Sequence, residues 1–205
     1  MTEEKRQNFT ILKTENEKVQ IIIENILKML SNRVYFKSGQ AIKLLDMEKA
    51  KKDMETLDDN VFIFKASNGD LYAVKIVFQK ITTTGKQSPI TDFINDYPKH
   101  NKIIIANEYN NKIADYVNKQ SIQIFRESAL LSDLISHCYQ PKFEVLSPSE
   151  IEITKKEYNF DDSTIKKILK SDPVTKYYGL KKGNMLRITR PSPLSGFSID
   201  YRIVA

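Results

Sequence analysis

The sequence predicts two units of different class in one chain: a three-layer α/β domain with a mixed sheet over residues 1–126, and a small α+β module over 127–205. Three observations predict this. Helix-period apolar spacing opens the chain, β-rich runs then alternate with helical segments up to Phe125, and glycines near the end separate a short helix from two basic strands.

Thr14 and Glu17 form a capping-box pair, after which Val19, Ile22, Ile23, Ile26, Leu27 and Leu30 recur on one helical face. This predicts a core-facing helix. Ser38 is placed to cap a second helix reaching about Thr56, with Ile42, Leu45 and Met54 inward. Two β-rich runs follow, Val61–Phe64 and Leu71–Phe78. Asn68-Gly69 between them supplies the positive φ angles that a tight hairpin turn needs. Ser88-Pro89 reads as the cap and first residue of a short helix ending near Pro98. Ile103–Ala106 reads as a buried strand, Lys112–Lys119 as a helix and Ile122–Phe125 as a last strand. No Pro/Gly/Ser-rich linker follows Arg126, so the second unit is expected to pack directly behind the first.

That second unit starts at Ala129-Leu130-Leu131 and passes His137 and Pro141 to Leu146. Ser147-Pro148 marks a helix start, and Asp172-Pro173 marks another, because Asp accepts free N–H groups and Pro suits the first helical position. Gly179 stops the second of these helices. Gly183 turns the chain into a strand at Met185–Arg190, and a closing strand runs from Phe197 to Val204.

Composition narrows the function. Hydrophobic residues are 40% and charged residues 28%, as in an ordinary globular protein. No apolar run approaches the ~20 residues that span a bilayer, and the charged start Met1–Arg6 does not read as a signal peptide. A single cysteine, Cys138, excludes an internal disulfide and a cysteine-based zinc site. The net charge of +6 suits a neighbour of nucleic acid. The excess gathers late: Lys166, Lys167, Lys170, Lys176, Lys181, Lys182, Arg187, Arg190 and Arg202 stand against Asp161, Asp162, Asp172 and Asp200. Such a block more often meets an acidic protein surface, or is simply solvated, than reads bases.

Catalytic motifs fail on inspection. Thr84-Gly85-Lys86 lacks the glycine and hydroxyl that a phosphate-cradling loop needs, having Lys80 and Gln87 there instead. A metal-dependent nuclease needs clustered carboxylates beside a lysine. Here Ala73 precedes Lys75 by two positions, and Asp70 sits alone at the turn. His137 and Cys138 would point to opposite faces of a strand and could not pair there. Tyr177-Tyr178 reads as core and flank rather than as a base-stacking platform. No catalytic, cofactor-binding or metal-binding residue is expected.

The stretch from Asp172 to Ala205 is different in kind. Asp172-Pro173, Tyr177-Tyr178-Gly179, Gly183, Arg187–Ser192, Gly196 and Tyr201–Val204 closely resemble the C-terminal assembly domain of the fifth-largest subunit shared by the eukaryotic nuclear RNA polymerases, a domain with a small archaeal equivalent. Weaker likeness reaches upstream through Leu130-Leu131, His137, Pro141 and Leu146-Ser147. Residues 1–126 resemble the family's "jaw" domain only in element order. The resemblance implies a nuclease-like topology without an active site there.

The resemblance further implies a structural subunit without catalytic residues, docking on the largest polymerase subunit beside the other subunits. The jaw would stand near downstream DNA and make non-specific contact with it, and no membrane would be involved. Asp172, Pro173, Tyr177, Gly179, Gly183, Arg190, Gly196, Tyr201 and Arg202 are the implied docking motif. Two departures stand out. The family's Leu-Pro pair is replaced by Ile165-Lys166-Lys167-Ile168, and its Ser-x-Thr-x-Gly loop reads Ser192-Pro193-Leu194-Ser195-Gly196, without the threonine hydroxyl. This divergence and the Asn/Lys/Ile bias resemble a form carried by a large cytoplasmic DNA virus, with the African swine fever virus form as the likeness. Host cytoplasm and virion are then the implied locations, or the nucleus for a cellular form. The rivals from other classes are an orphan nuclease or nuclease inhibitor and a free-standing basic DNA-binding module.

Overall fold

Thr14 opens the first helix as the sequence predicts, its hydroxyl accepting from Glu17 N while the Glu17 carboxylate accepts from Thr14 N. The computed structural model describes residues 13–205 apart from Ser38, Asp58, Asp59, Thr84, Lys86, Gln87, Pro89, Leu134, Cys138, Asp162 and Ser163. Readings that rest on the N-terminal hexapeptide, on the Thr84 and Lys86 motif positions, or on Cys138 therefore lie outside the described residues. Helix α1 spans Glu15–Asn32 and buries Ile22, Ile23, Ile26, Leu27, Met29 and Leu30.

The long second helix is corrected. Strands β1 (Val34–Lys37) and β2 (Gln40–Lys43) form a hairpin around Gly39, whose φ is +81°. Val34-Tyr35-Phe36 is a β-forming run, and it wins over the helical spacing around it. Ser38 lies outside the described residues. The working cap is Asp46, which accepts from Glu48 N and Lys49 N and starts the short α2 (Met47–Asp53). Leu45 and Met54 still reach the core, from either side of that helix, while Ile42 is half-buried on β2.

Strands β3 (Glu55–Leu57), β4 (Val61–Lys65), β5 (Leu71–Val77), β6 (Asn101–Ala106) and β7 (Gln123–Arg126) form one sheet in that order. The β3–β4–β5 part is antiparallel and β5–β6–β7 is parallel, so the sheet is mixed. The β4–β5 turn is wider than an Asn-Gly pair alone would make. Gly69 N donates to Ala66 O, Ala66 N donates to Asp70 O, and only Gly69 takes a positive φ. That is the three-residue loop rather than the two-residue one.

Strand alternation sends Phe62, Phe64, Val74, Ile76, Ile103 and Ile105 to one face, against α1 and α2. Val61, Ala73, Val77, Ile104 and Ile124 go to the other, against α3 (Thr91–Asp96) and α4 (Asn111–Lys119). Three layers result. Helix α3 starts later than its sequence signal: Ile90 holds the cap position without a side-chain bond, and Ser88 is buried with no partner for its Oγ among the described residues. Pro89 lies outside the described residues.

No linker intervenes before the second unit, because β7 ends at Arg126 and α5 (Glu127–Leu130) begins at the next residue. His137 sits in a turn, with Nδ1 accepting from Tyr139 N, so the strand premise at this position is replaced by a local turn. Strand β8 (Lys142–Val145) leads to α6 (Pro148–Glu157), which carries a full Ser147–Glu150 capping box. Strand β9 (Lys166–Ile168), helix α7 (Pro173–Tyr178) and the long hairpin β10 (Met185–Ser192) and β11 (Gly196–Val204) complete the chain. The sheet order is β8-β10-β11-β9, with β9 parallel to β11. No helix among the described residues is long and apolar enough to cross a membrane.

Candidate docking surface

The implied docking residues divide into two groups that do different things. Asp172 caps α7 by accepting from Val174 N at 2.8 Å, and Pro173 follows as its first residue. Gly179 ends the helix in the left-handed region, φ +64°. Tyr177 turns away from solvent: it is 8% exposed and belongs to the core cluster built by α1 and the first sheet. Its hydroxyl accepts from Asn32 Nδ2 at 2.9 Å. These four positions join the two units.

Arg33, at the end of α1, completes that junction. It is buried, and its guanidinium donates to Tyr177 O (2.7 Å), Lys176 O (3.0 Å) and Gln123 Oε1 (2.9 Å). A cation on the terminal carbonyls of α7 also opposes the negative end of the helix dipole. Burial pulls its pKa down to about 10, partly offset by Tyr72 and Tyr177, and it stays cationic at neutral pH. Farther along α1, Asn25 donates to Leu130 O, Lys18 pairs with Glu127, and Lys28 pairs with Asp133. Lys18, Asn25 and Asn32 recur every seven residues, which gives α1 a polar seam beside its apolar stripe. Sequence reasoning noted the stripe and missed the seam. The heptad spacing of polar side chains was the available signal.

The other group lies on the β10–β11 hairpin. Gly183, φ +89°, turns the chain into β10 and donates its N–H to Val204 O. Gly196, φ +75°, closes the hairpin. Tyr201 is buried beneath α6, packed by Tyr158 and Phe160, with Arg187 over its ring at 5.8 Å. Arg202 is tied to Asp200 at 3.2 Å, and Lys166 of β9 reaches the same carboxylate at 2.8 Å. Burial opposes ionisation of Asp200, but hydrogen bonds from Lys166 and Arg202 prevail and hold its pKa below the usual range. Arg190 is exposed.

Past Tyr201 the same face of the hairpin runs out from under α6. Phe197 and Ile199 share that face, with the intervening Ser198 on the other, and are 69% and 54% exposed, while Leu194 at the tip is fully exposed. Leu194 stands where the family pattern has its threonine. The outer end of the hairpin is therefore apolar and exposed.

Among the described residues, the strand face that carries Lys75 shows no cluster of metal-holding acids. Ala73 is fully buried on the strand face it shares with Lys75, and Asp70 sits at the turn, bonded to Asn68. Among the described residues, nothing on that face brings a carboxylate beside the lysine.

Residues 132–204 match the family described as RNA polymerase Rpb5, C-terminal domain. The chain is 50% identical over 195 residues to the DNA-directed RNA polymerase subunit 5 of Acanthamoeba polyphaga mimivirus, covering 95% of each chain. The chain belongs to the RNA polymerase subunit 5 family. A subunit named for RNA polymerases I, II and III in Dictyostelium discoideum is 26% identical over 89% of this chain and 94% of its own length. A Caenorhabditis elegans counterpart is 33% identical over 45% of this chain. The viral relative is thus a mimivirus subunit 5, and the likeness to the African swine fever virus form stays an expectation. The matched residues fall within 127–205. Subunit 5 proteins of both viral and cellular origin are therefore similar to this chain.

Proposed function

We propose that this member of the subunit 5 family is a non-catalytic structural subunit of a multisubunit DNA-directed RNA polymerase. Its module at residues 127–205 docks on the largest subunit, and the unit at 1–126 acts as a jaw beside downstream duplex DNA, in a nuclease-like topology that lacks catalytic acids. The observation that carries the docking surface is the apolar hairpin end, Leu194, Phe197 and Ile199, exposed on a sheet otherwise well packed. Arg190 is exposed on the same hairpin and would meet acidic groups of the partner. Gly183 and Gly196 shape this surface, Tyr201 and Arg202 brace it from below, and Asp172, Pro173, Tyr177 and Gly179 fix its orientation to the jaw. A viral relative at 50% identity supports transcription in the host cytoplasm and carriage in the virion.

The test is co-purification of the largest polymerase subunit with the tagged full chain. Phe197→Asp and Ile199→Asp, both at exposed positions, should leave the fold intact and remove that subunit from the eluate. Retention of the subunit by both variants would move the docking surface elsewhere.

A further inference from the structure

Two cavities beside α7 share Tyr109, Ile124, Phe125, Arg126, Ser171 and Lys176 in their walls, so they form one groove between the units. Its larger part holds about 570 Å³, room for a few extended residues and not for a folded domain. Gln123, Ile124, Phe125 and Arg126 all line it in succession. Side chains on a strand alternate between faces, so a cavity lying over a face would meet only every second residue. Four in a row mean that the groove runs along the strand's edge. Strand β7 is the last in its sheet and, among the described residues, bonds only to β6. Its outer N–H and C=O groups are a template for one more strand.

Two further features select the occupant. Thr175 lines the groove at 0% exposure, and its Oγ1 has no hydrogen-bond partner among the described residues. A buried hydroxyl without a partner costs stability, and Thr175 Oγ1 is such a group in the wall of the groove. Arg126, Lys170 and Lys176 line the walls, with Arg126 over the Tyr109 ring at 5.7 Å. The acids facing them are Asp115 and Asp133, and Asp133 is already paired with Lys28. Positive charge prevails.

We propose that this groove is a peptide-binding site, taking an extended acidic segment of another protein chain as an added strand on β7. Backbone pairing would supply affinity, and the three cations would select acidic side chains. A nucleic-acid strand has phosphates for the cations but no amides for the strand edge. The site is separate from the hairpin surface and does not rest on the polymerase reading.

A random peptide library displayed on phage, panned against the full chain, tests this. Enriched peptides should be rich in Asp and Glu, and N-methylation at alternate positions should abolish their binding. Arg126→Glu and Lys176→Glu should each weaken binding about tenfold, while Lys49→Glu on α2, exposed and lining neither cavity, stays within about twofold. If Arg126→Glu unfolds the chain, Lys170→Glu supplies the same reading. Amide exchange at those N–H groups of β7 that point away from β6 should slow when peptide is bound. Absence of any enrichment, equal binding by the charge-reversed chains, or tighter capture of single-stranded oligothymidine at the same amides would overturn the proposal.

Discussion

A Cβ placed on Gly179 would lie 3.1 Å from Cζ of Arg33, so the end of α7 and the buried guanidinium are fitted to each other. Gly179 is needed twice there, for its positive φ and for the space that Arg33 occupies. Gly183 has a positive φ but nothing within 4 Å of its would-be Cβ. The two glycines therefore separate strain from crowding.

Gly179→Ala should cost on the order of 2–4 kcal/mol, combining left-handed strain with displacement of Arg33 from its carbonyls. Gly183→Ala should cost only about 1 kcal/mol, the strain alone. Urea denaturation of both variants checks this. Equal losses would mean that Arg33 yields without cost.

Arg33→Lys keeps the charge but cannot span Tyr177 O, Lys176 O and Gln123 Oε1 together. It should destabilise the chain by about 2–3 kcal/mol, because carbonyls of α7 lose a charged donor in a buried place. Thermal unfolding should fall further for this variant than for Gln123→Ala, which removes one acceptor at the rim.

Burial raises the Tyr178 pKa to about 12, with Tyr177 adding to it, and burial also raises that of Tyr177. A folded pKa above the unfolded value of about 10 means that the folded state holds the phenol proton longer. This contribution is fully present below pH 10 and is lost as pH rises from 10 toward 12. Tyr178→Phe should therefore flatten the alkaline decline in stability while changing little at pH 7. Denaturation midpoints at both ends of that window give the comparison.

Much of this architecture is readable from residue order. The capping boxes at Thr14 and Ser147, the Asp172-Pro173 helix start and the isoleucine-rich strand at 103–106 all follow local rules, which the tertiary structure leaves undisturbed. The failures are non-local. Strands β8 and β9 are too short for their pattern to stand out, four residues and three, and they exist because β10 and β11 offer them edges. The Ile165–Ile168 departure is one of those strands: Ile165 and Ile168 are buried while Lys166 and Lys167 stay exposed. Tyr177 was legible as buried, but its neighbours lie far away on α1, a separation no motif encodes.

Asp70→Ala and Lys75→Ala should leave polymerase turnover on non-specific templates unchanged within about twofold, since neither residue belongs to the hairpin surface and neither stands beside a cluster of acids. The purified chain should hydrolyse no nucleic acid with Mg²⁺. Cleavage by the pure chain that both variants lose would restore the nuclease reading.

Duplex DNA should bind the isolated chain weakly, without sequence preference, and with steep loss on added salt, because counterion release governs a chain of net charge +6. Crosslinks from Lys80 to downstream DNA should appear only in the assembled enzyme, where the large subunits keep the duplex at high effective concentration. Strong sequence-specific binding by the free chain would make it an autonomous DNA-binding protein.

The most direct test of the central claim is affinity purification of the tagged full chain from the cells in which it is naturally made, with the bound proteins identified and quantified. A structural polymerase subunit should elute with the largest polymerase subunit in equal amount, together with transcriptional activity on added template. Recovery of the chain without any large polymerase subunit would contradict the account.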